Sequence, residues 1–278
     1  GLPFLIKDLS GLAGEPFEKG SRLYQGHVAP TSSAIVQRFI DSGLVVLGKT
    51  RTPEFGLTLT TEPAGKGPTR NPWHHDYSTG GSSGGAAAAV ASGIIPAAHA
   101  SDGGGSIRIP ASCCGLFGLK PSRGLTVIEP SMGACWSGMS VGHVVSRTVR
   151  DSAAYLDLLR TDSPILFPRP AAPESFLGSL DQAPRPLRIA VMSRHPLGET
   201  LHSEVRDAVL ASARLCADLG HQVEEIDQPV DYKPAVNAMN NLICLHTWQD
   251  VAAIACARNL NLDTAQLETS TRLMAQLG

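Results

Sequence analysis

Two serine-bearing glycine turns are where this sequence could do chemistry. The first to consider, Ser101–Pro110, reads SDGGGSIRIP. Three successive glycines let backbone N–H groups converge on one point, because no Cβ blocks the unusual dihedrals or the approach of a substrate. An oxyanion hole is built that way, and Ser106 stands at its end. Taken alone, the stretch reads better as a tight turn with a structural serine. The second, Ser78–Gly93, reads STGGSSGGAAAAVASG and packs four glycines and two serines into six residues. A mobile linker is the bland reading, but the run leads into the uncharged helix formers Ala86–Ala91 and so opens a buried helix. A phosphate cradle needs a following lysine or a G-x-G-x-x-G spacing, and neither is there. Gly80–Gly84 does satisfy the G-x-S-x-G nucleophile elbow, yet that elbow follows a buried strand, and what precedes it is NPWHHDYST.

The elements that must hold these turns follow from periodicity. LPFLIKD reads as a short buried strand ending in charge, and TSSAIVQRFIDSG (31–43) as a helix capped by Thr31 or Ser32, with Ile35, Val36, Phe39 and Ile40 on one face. LVVLG is a strand, and residues 50–81 form a loop too long for an ordinary connection, as functional loops are. A small-residue helix from about Gly84 to Ser92 leads to a strand, IIPAAHA, that breaks into the triple-glycine turn. Ser146–Leu159 is a capped amphipathic helix, and about 163–176 a Pro-rich surface connection. LRIAVM, HSEVRDAVLASARLCADLG and HQVEEID make a β-α-β unit, and two more helical segments follow.

Composition narrows the class. With 278 residues, 42% of them hydrophobic, the chain can bury a sizeable core, and a single domain over 1–278 is expected. A formal charge of −2 without a dense Lys/Arg run lacks the electrostatic footprint of nucleic-acid binding, and no apolar run reaches membrane-spanning length. The six cysteines lack C-x-x-C spacing and read as buried free thiols in a reducing, cytoplasmic compartment. The nine histidines show no ligand spacing, so no metal is expected, and Trp73, His74 and His75 read as loop-shaping residues.

Joined, the two turns say more. GGSSGGAAAAVASGIIPAAHASDGGGSIRIPASCCGLFGLKPSRG closely resembles the signature region of the amidase signature family, and the 24 positions from Ser82 to Ser106 (106 − 82) match that family's serine spacing. The resemblance extends upstream through GLPFLIKDLSG, VVLGKTRTPEFG and TTEPAGKGPTRNPW, and downstream through SRTVRDSAAYL and PLRIAVM. The phrase LTTEP…TRNPW looks closest to the branch that holds 6-aminohexanoate-cyclic-dimer hydrolases and similar bacterial amidases.

This resemblance implies an α/β amidase-signature fold, a mixed β-sheet core with helices on both faces, in a chain that looks truncated at both ends relative to the family. It implies a cofactor-free hydrolase of small-molecule amides, working through an acyl-enzyme and a Ser-cisSer-Lys triad. Ser106 is then the nucleophile, and Ser82, behind a cis peptide with Gly81, the proton relay. The base is Lys7, the lysine of the G-x-P-x-x-x-K stretch that starts at Gly1. To accept a proton near pH 7, a lysine that ordinarily titrates near 10.4 must be shifted down by about three pH units, or about 4 kcal/mol, through burial and neighbouring donors. Lys49 is then left to order a loop. N–H groups of Gly103, Gly104, Gly105 and Ser106 would bind the oxyanion, Asp102 and Arg108 would pair to hold the turn, and Ser83 would hydrogen-bond the relay. Gly103 and Cys113 stand where larger residues are common in the family, which implies a roomier acyl side. An amidotransferase A-type subunit, a non-catalytic scaffold on the same fold and a His-dependent hydrolase using Ser82 are the alternatives, and self-association is left open.

Overall fold

The computed structural model describes residues 1–127, 135–161, 171–260 and 266–278. They cluster into two compact units, Gly1–Leu180 with Leu242–Gly278, and Asp181–Asn241. The first unit carries every candidate site residue.

Its chain opens with strand β1 (Pro3–Lys7), helix α1 (Ala34–Asp41) and strand β2 (Val45–Thr50), with β1 and β2 parallel and Lys7 opposite Thr50. Helix α2 (Gly84–Ala91), strand β3 (Ala97–Asp102), helix α3 (Arg108–Cys113), strands β4 (Phe117–Gly118) and β5 (Val141–Ser146) and helix α4 (Val149–Leu159) follow. A second, antiparallel ladder runs in the order β3-β5-β4. The other unit holds a parallel β-α-β of β6 (Arg188–Val191), α5 (Ser203–Asp218) and β7 (Gln222–Glu225), as the sequence predicts. Helices α6 (Lys233–Ala257) and α7 (Thr269–Leu277) end the chain.

Beside a cluster of Leu23, Tyr24, Phe55, Val251, Ile254 and Leu267, the first unit has a core that strand alternation divides in two. Phe4 and Ile6 of β1, Ala97 of β3 and Val144 of β5 meet Val36 and Phe39 of α1 and Tyr155 and Leu159 of α4. On the opposite face, Ala98, Ala100 and Val145 meet Ala86, Ala89 and Val90 of α2 and Ile107 and Ala111 at α3. Helices thus cover both faces of a mixed α/β core. α2 carries only Gly, Ala and Val, five of its eight residues are buried and none is exposed; the small side chains let its backbone lie close to β3.

Some details differ from the sequence reading. The N-cap of α1 is Ser33 rather than Thr31 or Ser32, and Ile40 is exposed because its position has rotated off the stripe formed by Ile35, Val36 and Phe39. Strand β5, the centre of its ladder, was not anticipated at all. Cys113, Cys114, Cys216, Cys244 and Cys256 are free thiols; of these Cys113 and Cys256 are exposed and Cys114 alone is buried. The expected Pro-rich connection lies mostly outside the described residues; its described end is tied to α4, where Asp157 accepts from Phe176 N–H and Leu177 N–H.

Two histidines are sealed in the core. Burial, with the charges of Lys7, Lys49 and His143 adding to it, pushes His99 down to about 3, and burial pushes His143, which pairs with Ser152 Oγ at 2.9 Å, down to about 4. In the unfolded chain both rings take up a proton near pH 6.5. Below that pH the unfolded state binds more protons than the folded one, so stability must fall as pH drops, until the folded pKa values are reached. Denaturant titrations between pH 6.5 and 4.5 are expected to show a loss of up to about 1.4 kcal/mol per pH unit for each histidine. His143→Gln should make that slope shallower; an unchanged slope would contradict the buried neutral ring.

Candidate active site

β1 drives Lys7 into the interior, since its neighbours Phe4 and Ile6 are core residues, and the lysine is fully buried. Its Nζ donates to Ser82 Oγ at 2.8 Å, to Ser101 Oγ at 3.0 Å and to the Ser101 carbonyl at 3.4 Å. All three acceptors are neutral oxygens. The Gly81–Ser82 peptide bond is cis.

The turn around Ser82 is packed from the long loop. A Cβ on Gly81 would lie 2.5 Å from the Thr60 carbonyl oxygen and 2.9 Å from that of Thr58, so only glycine fits there. Thr61 Oγ1 donates to the Gly80 carbonyl at 3.0 Å and accepts from Gly84 N–H at 3.1 Å, bracing the turn on both sides of the serine pair. Ser83, also buried, turns toward β3, where its Oγ accepts from Ser101 N–H at 3.4 Å and donates to the Ser101 carbonyl at 3.3 Å. The expected bond from Ser83 to the relay is therefore replaced by one that joins the two glycine turns.

Asp102 organises the second turn. It is fully buried and accepts from Gly105 N–H at 2.8 Å, Ile107 N–H at 3.2 Å and Arg108 N–H at 3.4 Å. The Arg108 guanidinium grips both carboxylate oxygens at 2.9 Å, a bidentate pair. Burial pushes the Asp102 carboxyl up, but Arg108 and the backbone donors outweigh it and hold the group below the usual carboxylate range. Gly105 was expected to offer its N–H to an oxyanion; Asp102 already takes it. Among the described residues the N–H groups of Gly103, Gly104 and Ser106 donate to no protein acceptor, so the candidate donor set narrows to these three. Ser106 itself is buried at 9% exposure, and among the described residues its Oγ makes no hydrogen bond to Ser82.

The acyl side is not roomier at Gly103. A Cβ there would stand 2.6 Å from the Trp136 ring, which fills the space that a larger residue would take. Lys49 is occupied elsewhere: it pairs with Asp8 at 2.5 Å, donates to the Pro16 carbonyl at 3.0 Å and lies 4.6 Å from the Phe17 ring centroid. Burial pushes Lys49 down and Asp8 up despite their pairing, since desolvation of both outweighs their attraction. A cavity of about 400 Å³ is lined by this pair, Arg51, Thr52 and Lys66, and by none of Lys7, Ser82 or Ser106. Trp73, His74 and His75 are exposed, with Trp73 Nε1 bonded to the Cys114 carbonyl at 2.8 Å.

Among the described residues no histidine bonds to Ser82 or Ser106, and no cluster of three or more His, Cys, Asp or Glu is placed to hold a metal ion. No helix among them is long and apolar enough to cross a membrane. Sequence reasoning missed Ser101, Thr61 and His99. Ser101 had a signal, as the hydroxyl directly before Asp102; the other two had none.

The sequence profile of the family described as Amidase matches residues 1–276. A Mycobacterium tuberculosis protein that carries the name amidase AmiC is 43% identical over 230 residues, 82% of this chain and 47% of its own length. The solved structure of 6-aminohexanoate cyclic dimer hydrolase with substrate superposes with a TM-score of 0.92 at 32% identity, covering 99% of this chain and 59% of that one. A bacterial aryl acylamidase of the amidase signature family gives 0.89 at 30% identity, covering 99% and 58%. The chain thus spans about half the length of such relatives.

The glycines differ in what they tolerate. Gly105 has φ +119° and a Cβ on it would meet Ile109 Cδ1 at 2.6 Å, whereas Gly104 faces open space within 4 Å. Gly105→Ala should cost about 1–3 kcal/mol and Gly104→Ala under about 0.5 kcal/mol. Thermal melts of the two variants check this; equal melting points would contradict the strained geometry.

Proposed function

Because the chain belongs to the amidase family, we propose that it hydrolyses a carboxylic amide through Ser106 as nucleophile, Ser82 as proton relay and Lys7 as base. The observation that carries this reading is the buried 2.8 Å contact between Lys7 Nζ and Ser82 Oγ at a cis Gly81–Ser82 bond, tied through Ser101 to the turn that ends in Ser106. A fully buried lysine whose amine lies within hydrogen-bond distance of a serine hydroxyl is placed to exchange a proton with it.

The steps follow from the roles. Neutral Lys7 takes the Ser82 hydroxyl proton as Ser82 takes that of Ser106, and Ser106 Oγ adds to the amide carbon. The carbonyl oxygen becomes an oxyanion, received by the N–H groups of Gly103, Gly104 and Ser106, whose turn Asp102 holds rigid. As the intermediate collapses, the C–N bond breaks and the proton returns through Ser82 to the leaving nitrogen, which departs as an amine. Water, deprotonated by the same relay, then cleaves the Ser106 ester and releases the acid.

The names of the two solved relatives point to a cyclic dimer of 6-aminohexanoate and to aryl acylamides as substrates to try first. The Trp136 ring packed against Gly103 supports compact acyl groups.

A fluorophosphonate should label Ser106, read by mass spectrometry of the labelled peptide; label confined to Ser82 would sink the assignment. Lys7→Ala should lower turnover by about 10²- to 10⁴-fold, the range for lost acid–base catalysis. Lys49→Ala should act through stability, by removing the contacts to Asp8, Pro16 and Phe17. Turnover that survives in Lys7→Ala but not in a folded Lys49→Ala would reverse the two roles.

A further inference from the structure

We propose that His99 is a positioning residue for the base, its ring holding the Lys7 main-chain N–H while Ser101, on the same face of β3, holds the Lys7 side-chain nitrogen. The inference rests on the reading of Lys7 as base.

The need for such a holder comes from where β1 sits. Alternate N–H groups of a strand point to opposite edges, and Asp8 N–H bonds the Thr50 carbonyl of β2 at 3.1 Å. Lys7 N–H therefore points the other way, toward β3, with which β1 forms no ladder. The missing carbonyl is replaced by a side chain: Lys7 N–H donates to His99 Nδ1 at 3.3 Å, in a fully buried setting. His99 and Ser101 are two residues apart and so share a strand face. One face of β3 thus grips both ends of the lysine, with Ser101 Oγ 3.0 Å from Nζ.

The imidazole is itself fixed. Phe39 lies 5.5 Å from it, ring to ring, and is in turn packed on Phe4 of β1 at 4.5 Å. On β5, Nε2 lies beside Gly142, where an added Cβ would be in ordinary contact with it at 3.8 Å. To accept at Nδ1 the ring must be neutral with its proton on Nε2. Burial, the first cause, pushes the ring down to about 3 and keeps it so; the titratable groups that face it, Lys7 on β1, Lys49 on β2 and His143 on β5, bring no negative charge that would favour a protonated ring. The acceptor is therefore present across the range in which a lysine base could work. Proton exchange across the 2.8 Å between Lys7 and Ser82 has little tolerance for a displaced lysine. A misplacement of about 1 Å can cost on the order of 10² in rate.

The test compares side chains that do and do not put an acceptor where Nδ1 stands. Asn carries Oδ1 at that place, Gln reaches only the place of Nε2, and Leu offers no acceptor. With His99→Leu, kcat and the rate of Ser106 labelling by a fluorophosphonate are expected to fall about 10- to 100-fold with KM nearly unchanged. His99→Asn should recover most of both. If Leu does not fold, Asn against Gln decides: Asn should be the faster by about tenfold at equal melting temperature. Equal rates for Asn and Leu, or for Asn and Gln, would overturn the proposal while leaving Lys7 as base. Wild-type turnover in Lys7→Ala, measured alongside, would remove the base and the proposal together.

Discussion

The burial of one lysine amine among neutral oxygens is the constraint on which the rest of this structure depends. A charged ammonium taken out of water without a counter-ion is costly, and the cheap responses are to find a carboxylate or to lose the proton. Lys49 takes the first course with Asp8. Lys7 lies within hydrogen-bond distance of two hydroxyls and a carbonyl, and the elements around it serve that placement: β1 carries it inward, the Gly80–Gly84 turn brings Ser82 to it and β3 supplies Ser101.

Close approach is what allows these parts to meet. The alanines and glycines of α2 and the alanines of β3 leave their backbones near each other, so Ser83 at the head of the helix reaches Ser101 at the end of the strand. Larger side chains at Ala86, Ala98 or Ala100 would separate helix from strand and pull the serine turn away from the lysine. The long loop of residues 50–81 has the same purpose from the other side, with Thr58, Thr60 and Thr61 closing over the Gly80–Gly84 turn. Its length follows from having to fold over a turn rather than simply join two elements.

Asp102 shows how a charge can organise a turn without joining the reaction. Three backbone N–H groups and one guanidinium converge on it, which locks the direction of the peptides around Ser106. The cost of burying this carboxylate is offset by those donors. Arg108, though half exposed, is the strongest single influence that holds the Asp102 carboxyl down, with the Gly105 and Ile107 N–H groups adding to it.

The candidate site residues came from the sequence only through its resemblance to the amidase signature family, since each glycine–serine turn taken alone reads as a tight turn or a linker; the fold brings Lys7, Ser82 and Ser101 together. The helices α1, α2, α4 and α5 and the strands β1, β3, β6 and β7 were legible, since apolar periodicity and capping are local properties. Other features depend on contacts between distant segments. β5 could not be read because Val141–Ser146 interrupts its apolar run with Gly and His, and only pairing with β3 makes it a strand. That Ser83 bonds Ser101, that Gly105 gives its N–H to Asp102, and that Trp136 fills the space beside Gly103 are all decided by packing. So is the part played by His99, a residue with no local signal: it lies 92 positions from Lys7 in the chain and is brought to it only because β1 and β3 lie side by side without a ladder. Spacing along a chain determines which groups are available; the orientation of each N–H and hydroxyl is set by its neighbours in space.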